Sequence, residues 1–127
     1  MSFSKKDKSS PKDKVRRGRE FETLAAKYFT DHHFTILDRN WQAGHKEIDL
    51  VVRKDDLVVF VEVKSAGGRE FGHPVERVDN RKVKRLTSAA REYLQTHDLS
   101  NCDFRFDVVT FLEGIIEHFS GAFQAEE

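Results

Sequence analysis

Leu57-Val58-Val59-Phe60-Val61-Glu62-Val63-Lys64 opens with the longest uninterrupted apolar run of the chain and ends on an acid and a base. No alternation of polar and apolar residues precedes Glu62, so this reads as a strand covered on both faces. Charges placed inside such a strand need a reason. Glu62-Val63-Lys64 is also the only place where one of the 22 acidic residues is followed by lysine two positions later.

Working upstream, Glu47–Arg53 is a second β-branched run, joined to Leu57–Lys64 across Lys54-Asp55-Asp56, which indicates an antiparallel hairpin. With Asp55-Asp56 as the turn, Lys54 opposes Leu57, and continuing that register sets Asp49 opposite Glu62. Opposed side chains lie about 5 Å apart at Cβ. Two carboxylates that close repel unless one is protonated or a cation lies between them. Lys64 falls on the same face, beside the pair. Asp and Glu with a few waters suit Mg²⁺, a hard cation with an incomplete protein shell, and Mn²⁺ can substitute. Such an ion activates water and polarises a phosphodiester oxygen. A cross-strand ionic cluster, with Lys64 neutralising one acid, accounts for the same residues.

Further out, Phe21, Leu24, Ala25, Tyr28 and Phe29 form one apolar stripe of a helix from about Val15 to His32. Glu22 sits at the edge of that stripe and is the natural third carboxylate. Phe34–Leu37 reads as a short strand followed by a polar loop through Asp38-Arg39-Asn40 to Gly44. After a loop marked by Gly67-Gly68 and Gly72-His73-Pro74, a second helix runs from about Val78 to Thr96. It carries Val83, Leu86, Ala89, Ala90, Tyr93 and Leu94 on one face and Arg81, Lys82, Lys84, Arg85 and Arg91 on the other. Phe104–Phe111 and Ile115–Phe119 are two last strands around Glu113-Gly114. The order α-β-β-β-α-β, with an extra C-terminal strand, is an α/β fold of the mixed-sheet α+β kind, with helices on the sheet faces. Residues 1–14 are expected to be a disordered basic arm and 15–127 a single domain.

Several segments together resemble the bacterial YraN-like family. These are Arg17-Gly18-Arg19-Glu20-Phe21-Glu22-Thr23-Leu24-Ala25-Ala26, Asp38-Arg39-Asn40-Trp41, Glu47-Ile48-Asp49-Leu50-Val51, Val59–Lys64, Phe71-Gly72-His73-Pro74, Arg81–Leu86, Phe106-Asp107-Val108-Val109 and Ala122-Phe123. That family is grouped with endonucleases of the restriction-endonuclease-like PD-(D/E)XK superfamily, near archaeal-type Holliday junction resolvases. The resemblance implies a core of helix, three-stranded antiparallel meander, helix and strand. It implies Glu22, Asp49 and Glu62 as metal ligands, the backbone carbonyl of Val63 as a further one, and Asp49, Glu62 and Lys64 as the catalytic set. Arg19 and the basic positions Arg81, Lys82, Lys84 and Arg85 would meet the nucleic-acid backbone. One departure is Lys46, where the family usually has Gly before the Glu-Ile-Asp triplet.

Composition bounds these readings. The longest apolar run falls far short of the ~20 residues a membrane span needs, and the start of the chain lacks an apolar signal segment, so a cytoplasmic protein is expected. One cysteine, Cys102, excludes an internal disulfide framework, and the six histidines show no zinc spacing. Trp41 is expected to pack beneath the hairpin, His73 to serve a turn, and Glu47 to be a solvated strand-end charge. Lys+Arg and Asp+Glu each number 22, yet residues 1–19, 20–63, 64–91 and 92–127 carry +6, −4, +5 and −7. Segregated charge lets a neutral chain present a basic surface. The expected function is Mg²⁺-dependent hydrolysis of DNA, in branched or structured form, by a protein that can act as a homodimer. Two other readings stay open: a non-catalytic nucleic-acid-binding or adaptor protein, and an acidic C-terminal docking surface around Glu113 and Glu117.

Overall fold

The computed structural model describes residues 11–44, 46–65 and 80–123. The first helix, α1 (Pro11–Asp31), buries Ala25 and Phe29 and half-buries Phe21, Ala26 and Tyr28, as its apolar spacing requires. Leu24, expected in that stripe, is instead 50% exposed at its margin. The helix starts four residues before the expected Val15. Proline suits a first turn because its missing N–H would lack an intrahelical partner anyway. The expected arm therefore loses residues 11–14 to the helix, and residues 1–10 lie outside the described residues.

At its other end α1 closes on His33 in the left-handed region (φ 73°), with the Phe34 amide donating to Phe29 O at 2.9 Å and the His33 amide to Thr30 O at 3.0 Å. That pair of bonds caps the last free carbonyls. The second helix, α2 (Asn80–Thr96), ends the same way on Asp98 (φ 61°), where the Leu99 amide donates to Leu94 O at 2.7 Å. The expected start at Val78, and the Gly67-Gly68 and Gly72-His73-Pro74 loop, lie outside the described residues.

Five strands make one sheet: β1 (Thr35–Ala43), β2 (Lys46–Lys54), β3 (Leu57–Ser65), β4 (Asp103–Leu112) and β5 (Ile115–Phe123), in that spatial order. β3 and β4 pair in parallel and every other pair is antiparallel. A parallel pair needs a crossover, and the segment carrying α2 supplies it. The mixed sheet with two helices is consistent with a restriction-endonuclease-like core and with the expected element order.

The expected polar loop after Leu37 is not a loop. Asp38 to Ala43 continue β1, paired from Asp38↔Val51 to Ala43↔Lys46. β1 is the sheet's edge, where polar side chains can face solvent, and a register shift between Ile36 and Asp38 plus left-handed Asn40 (φ 54°) absorbs the irregular sequence. The Glu113-Gly114 turn is as expected, with both residues at positive φ (51° and 78°), the conformation that tight hairpins favour.

Each sheet face has its own core. Ala25 and Phe29 of α1 cover Leu50, Val52, Val59, Val61, Val109 and Phe111. On the opposite face Ala89, Ala90, Tyr93 and Leu94 of α2 cover Val51, Val58, Phe60 and Phe106. Trp41 packs there edge-on to Tyr93, with centroids 5.1 Å apart, so it does underlie the hairpin. Burial on both faces explains why β3 shows no alternation in sequence. Among the described residues no helix is long and apolar enough to cross a membrane.

Candidate active site

The β2–β3 register follows the two-residue turn from Lys54↔Leu57 to Leu50↔Val61. There the ladder stops, one pair short of the expected facing of Asp49 and Glu62. Ile48 belongs with Val51 in the core beneath α2, while Leu50 faces α1. Strict alternation would put Ile48 beside Leu50, so β2 changes face at Asp49. Asp49 consequently turns in the plane of the sheet, and its Oδ2 accepts the backbone N–H of Val63 at 2.8 Å. The carboxylate stands where a neighbouring strand's carbonyl would have been. Within a strand the N–H and C=O of one residue point to the same edge, so the Val63 carbonyl is directed to the β2 edge of β3.

Glu62 follows Val58 and Phe60 on the α2 side of β3. Its Oε2 holds two ammonium groups, Lys82 Nζ of α2 at 2.7 Å and Lys64 Nζ at 3.4 Å. Its other oxygen, Oε1, is buried without a hydrogen-bond partner, and so is Oε1 of Glu22 on α1. Glu47, Asp49, Glu62, Lys82 and Leu86 line a cavity of about 110 Å³ on the α2 side, with Phe60 and Phe106 among its walls. Burial pushes the Asp49 carboxyl up from 3.8 to about 6. The Val63 N–H works against that rise, and the charges of Glu22, Glu62 and Glu47 add to it.

Asp49, Glu62 and Lys64 are thus brought together, with Glu22 reaching from the opposite layer. Two buried carboxylate oxygens without donors, and a third carboxylate resisting ionisation, make the chemistry of this donor set one that a nearby positive charge would relieve. The set is open. Among the described residues no three His, Cys, Asp or Glu side chains are gathered closely enough to form a shell by themselves, so Glu62 would have to exchange Lys82 for the ion.

Lys82 therefore departs from the outward basic face on which it was expected. It lies four residues before Leu86 and seven before Ala89, the row that faces the sheet, and this helical spacing was the signal for its placement. Arg81, Lys84 and Arg85 are exposed, as is Arg19 on α1. Arg91 lies over the Phe104 ring, 5.5 Å from its centroid. Glu47 is exposed, as expected for a strand end, but it borders the cavity. His73 lies outside the described residues.

A second polar cluster escaped the sequence reading. Asp107, fully buried on β4, accepts from Arg105 Nε at 2.9 Å, His118 Nε2 at 2.6 Å and the Gly121 amide at 2.9 Å. His118 Nδ1 lies 3.0 Å from the Tyr28 hydroxyl of α1. Burial alone would raise the Asp107 carboxyl, but the bonds from His118, Arg105 and Gly121 hold it below its usual value. This cluster ties β5 to α1.

A family model described as Uncharacterised protein family UPF0102 matches residues 21–111, a span that includes Glu22, Asp49, Glu62, Lys64 and Lys82. The chain belongs to this family. UPF0102 is the YraN-like family that the sequence segments resemble. A UPF0102 protein of Chlorobium phaeobacteroides is 37% identical over 119 residues, covering 86% of this chain and 94% of its own. One from Sulfurihydrogenibium is 32% identical over 114 residues, covering 90% and 99%. One from Chromohalobacter salexigens is 44% identical over 101 residues, covering 80% and 81%. These relatives match 80 to 90% of the chain.

Proposed function

We propose that this chain is a Mg²⁺-dependent endonuclease that hydrolyses DNA phosphodiester bonds, with branched or structured DNA as its substrate. The observation that carries the reading is the sheet end at Asp49 and Glu62, where Glu62 holds two lysines on one oxygen and leaves the other buried without a donor. Asp49 and Glu62 would hold the cation, with Glu22 and the Val63 carbonyl as further ligands and Mn²⁺ as a substitute. When bound, the ion supplies Lewis acidity toward a phosphodiester oxygen and toward water. Lys64 stands 3.4 Å from Glu62 and offsets charge gathering on the phosphoryl oxygens, while orienting the attacking water. Arg19, Arg81, Lys84 and Arg85 take the neighbouring phosphates. Such contacts carry little sequence information, so recognition is of shape.

The test is cleavage of duplex, flap, single-stranded and four-way DNA with Mg²⁺ or Mn²⁺. Cleavage is expected in at least one substrate and lost in Asp49→Ala and Glu62→Ala; activity that survives both substitutions refutes the assignment. The 2.7 Å pair of Lys82 with Glu62 favours a second reading, a DNA-binding protein with a neutralised, non-catalytic site. It requires salt-sensitive binding without turnover, weakened by neutralising Arg81, Lys84 and Arg85 and indifferent to Asp49→Ala.

A further inference from the structure

The pairing of Lys82 with Glu62 joins two layers of the fold at an acid whose other oxygen is buried without a donor. Lys82 comes from α2 and Glu62 from β3, whereas Lys64 lies on Glu62's own strand and farther off, at 3.4 Å against 2.7 Å. Both Lys82 and Glu62 line the cavity with Asp49. An ammonium and a divalent cation placed on one carboxylate repel each other, so binding of either disfavours the other. Lys82 displaced from Glu62 stays on the helix that exposes Arg81, Lys84 and Arg85. Phosphate is the anion that such a helix face attracts.

We propose that Lys82 is a positioning residue that couples cation binding to phosphate binding. It holds Glu62 while no cation is present, and it passes to a substrate phosphate when a divalent cation takes Glu62. The inference rests on the nuclease reading and adds to it the order in which charges are exchanged. No bond is made or broken in the exchange; one ion pair is traded for two. Linkage then requires reciprocity: a cation tightens DNA binding by the same factor by which DNA tightens cation binding.

The experiment uses Ca²⁺, a hard cation of the same ligand preference, with calorimetry in the absence of DNA and fluorescence anisotropy of a labelled four-way DNA with and without Ca²⁺. The tightening of DNA binding by Ca²⁺ should be about two- to fivefold larger in wild type than in Lys82→Met, the range one partly exposed ion pair supports. Lys82→Met should bind Ca²⁺ more tightly than wild type by a similar factor, and should keep only the tightening of DNA that comes from the ion's own contact with phosphate. Lys82→Arg should restore the coupling. Lys84→Met should weaken DNA binding while leaving Ca²⁺ affinity and the coupling unchanged, which separates exchange at Glu62 from general loss of positive charge. Ca²⁺ affinity equal or lower in Lys82→Met, or tightening of DNA by Ca²⁺ that is absent from wild type or as large in Lys82→Met as in wild type, overturns the exchange alone. If neither protein binds Ca²⁺, the nuclease reading falls and the exchange with it.

Discussion

Replacing Asp49 by Asn should make the cation-free protein more stable at neutral pH, although it removes a residue of the candidate site. The Asn amide oxygen can still accept the Val63 N–H, so the local geometry is kept and the charge alone is lost. Burial and three neighbouring carboxylates raise the Asp49 carboxyl from 3.8 to about 6. Below pH 3.8 it is protonated in both folded and unfolded chains, and its contribution is fully present. As pH rises toward 6 the unfolded chain ionises while the folded one resists, and the contribution is lost. A rise of about 2 units at ~1.4 kcal/mol each gives a penalty of about 3 kcal/mol above pH 7. Urea unfolding in EDTA should therefore show the variant level with wild type near pH 4 and about 2–3 kcal/mol more stable near pH 8. Adding Mg²⁺ at pH 8 should narrow that gap by stabilising wild type. Equal pH dependence in the two proteins, or a variant weaker at pH 8, would refute the electrostatic account.

Asp107→Ala should cost about 3 kcal/mol or more, because it leaves Arg105 and His118 facing each other without their shared acid. The depressed Asp107 carboxyl adds stability that is present above its unfolded pKa and lost as pH falls through the folded one, so acid unfolding should begin at higher pH in the variant. Asp98→Gly should stabilise by about 0.5–1 kcal/mol, read as a rise in Tm, because Asp98 holds a left-handed conformation that glycine adopts without strain. Phe60→Ala, in the core against Tyr93, Phe104 and Phe106, should lose about 3–5 kcal/mol with an unchanged denaturant slope.

The central hairpin was legible because turn length and burial speak together. Asp55-Asp56 sets the register, and the unbroken apolar run announces a strand with helices on both sides. Periodicity likewise placed Ala25 and Phe29 of α1 and Val83, Ala89, Ala90, Tyr93 and Leu94 of α2 in the core. It misjudged β1, since an edge strand can present Asp38, Arg39 and Asn40 without the apolar alternation on which strand recognition depends. The site was legible as a set of residues and less so as geometry. Counting register cannot foresee that β2 changes face at Asp49, because that break follows from Ile48 seeking the core under α2. Lys82 was read by its charge when its row, with Leu86 and Ala89, decides where it points. The Asp107–His118–Tyr28 contacts join residues 11 and 90 positions apart, and only the folded sheet brings them together.

The Val63 amide deserves separate use. Its hydrogen-bond acceptor is a titratable side chain instead of a backbone oxygen, so its proton resonance reads the charge on Asp49 directly. In a ¹H–¹⁵N spectrum this one peak should move with pH as the carboxyl ionises, and move again when an ion or an inhibitor takes up that oxygen. A compound library could thus be screened against the site through a backbone reporter, with no nucleic acid in the sample.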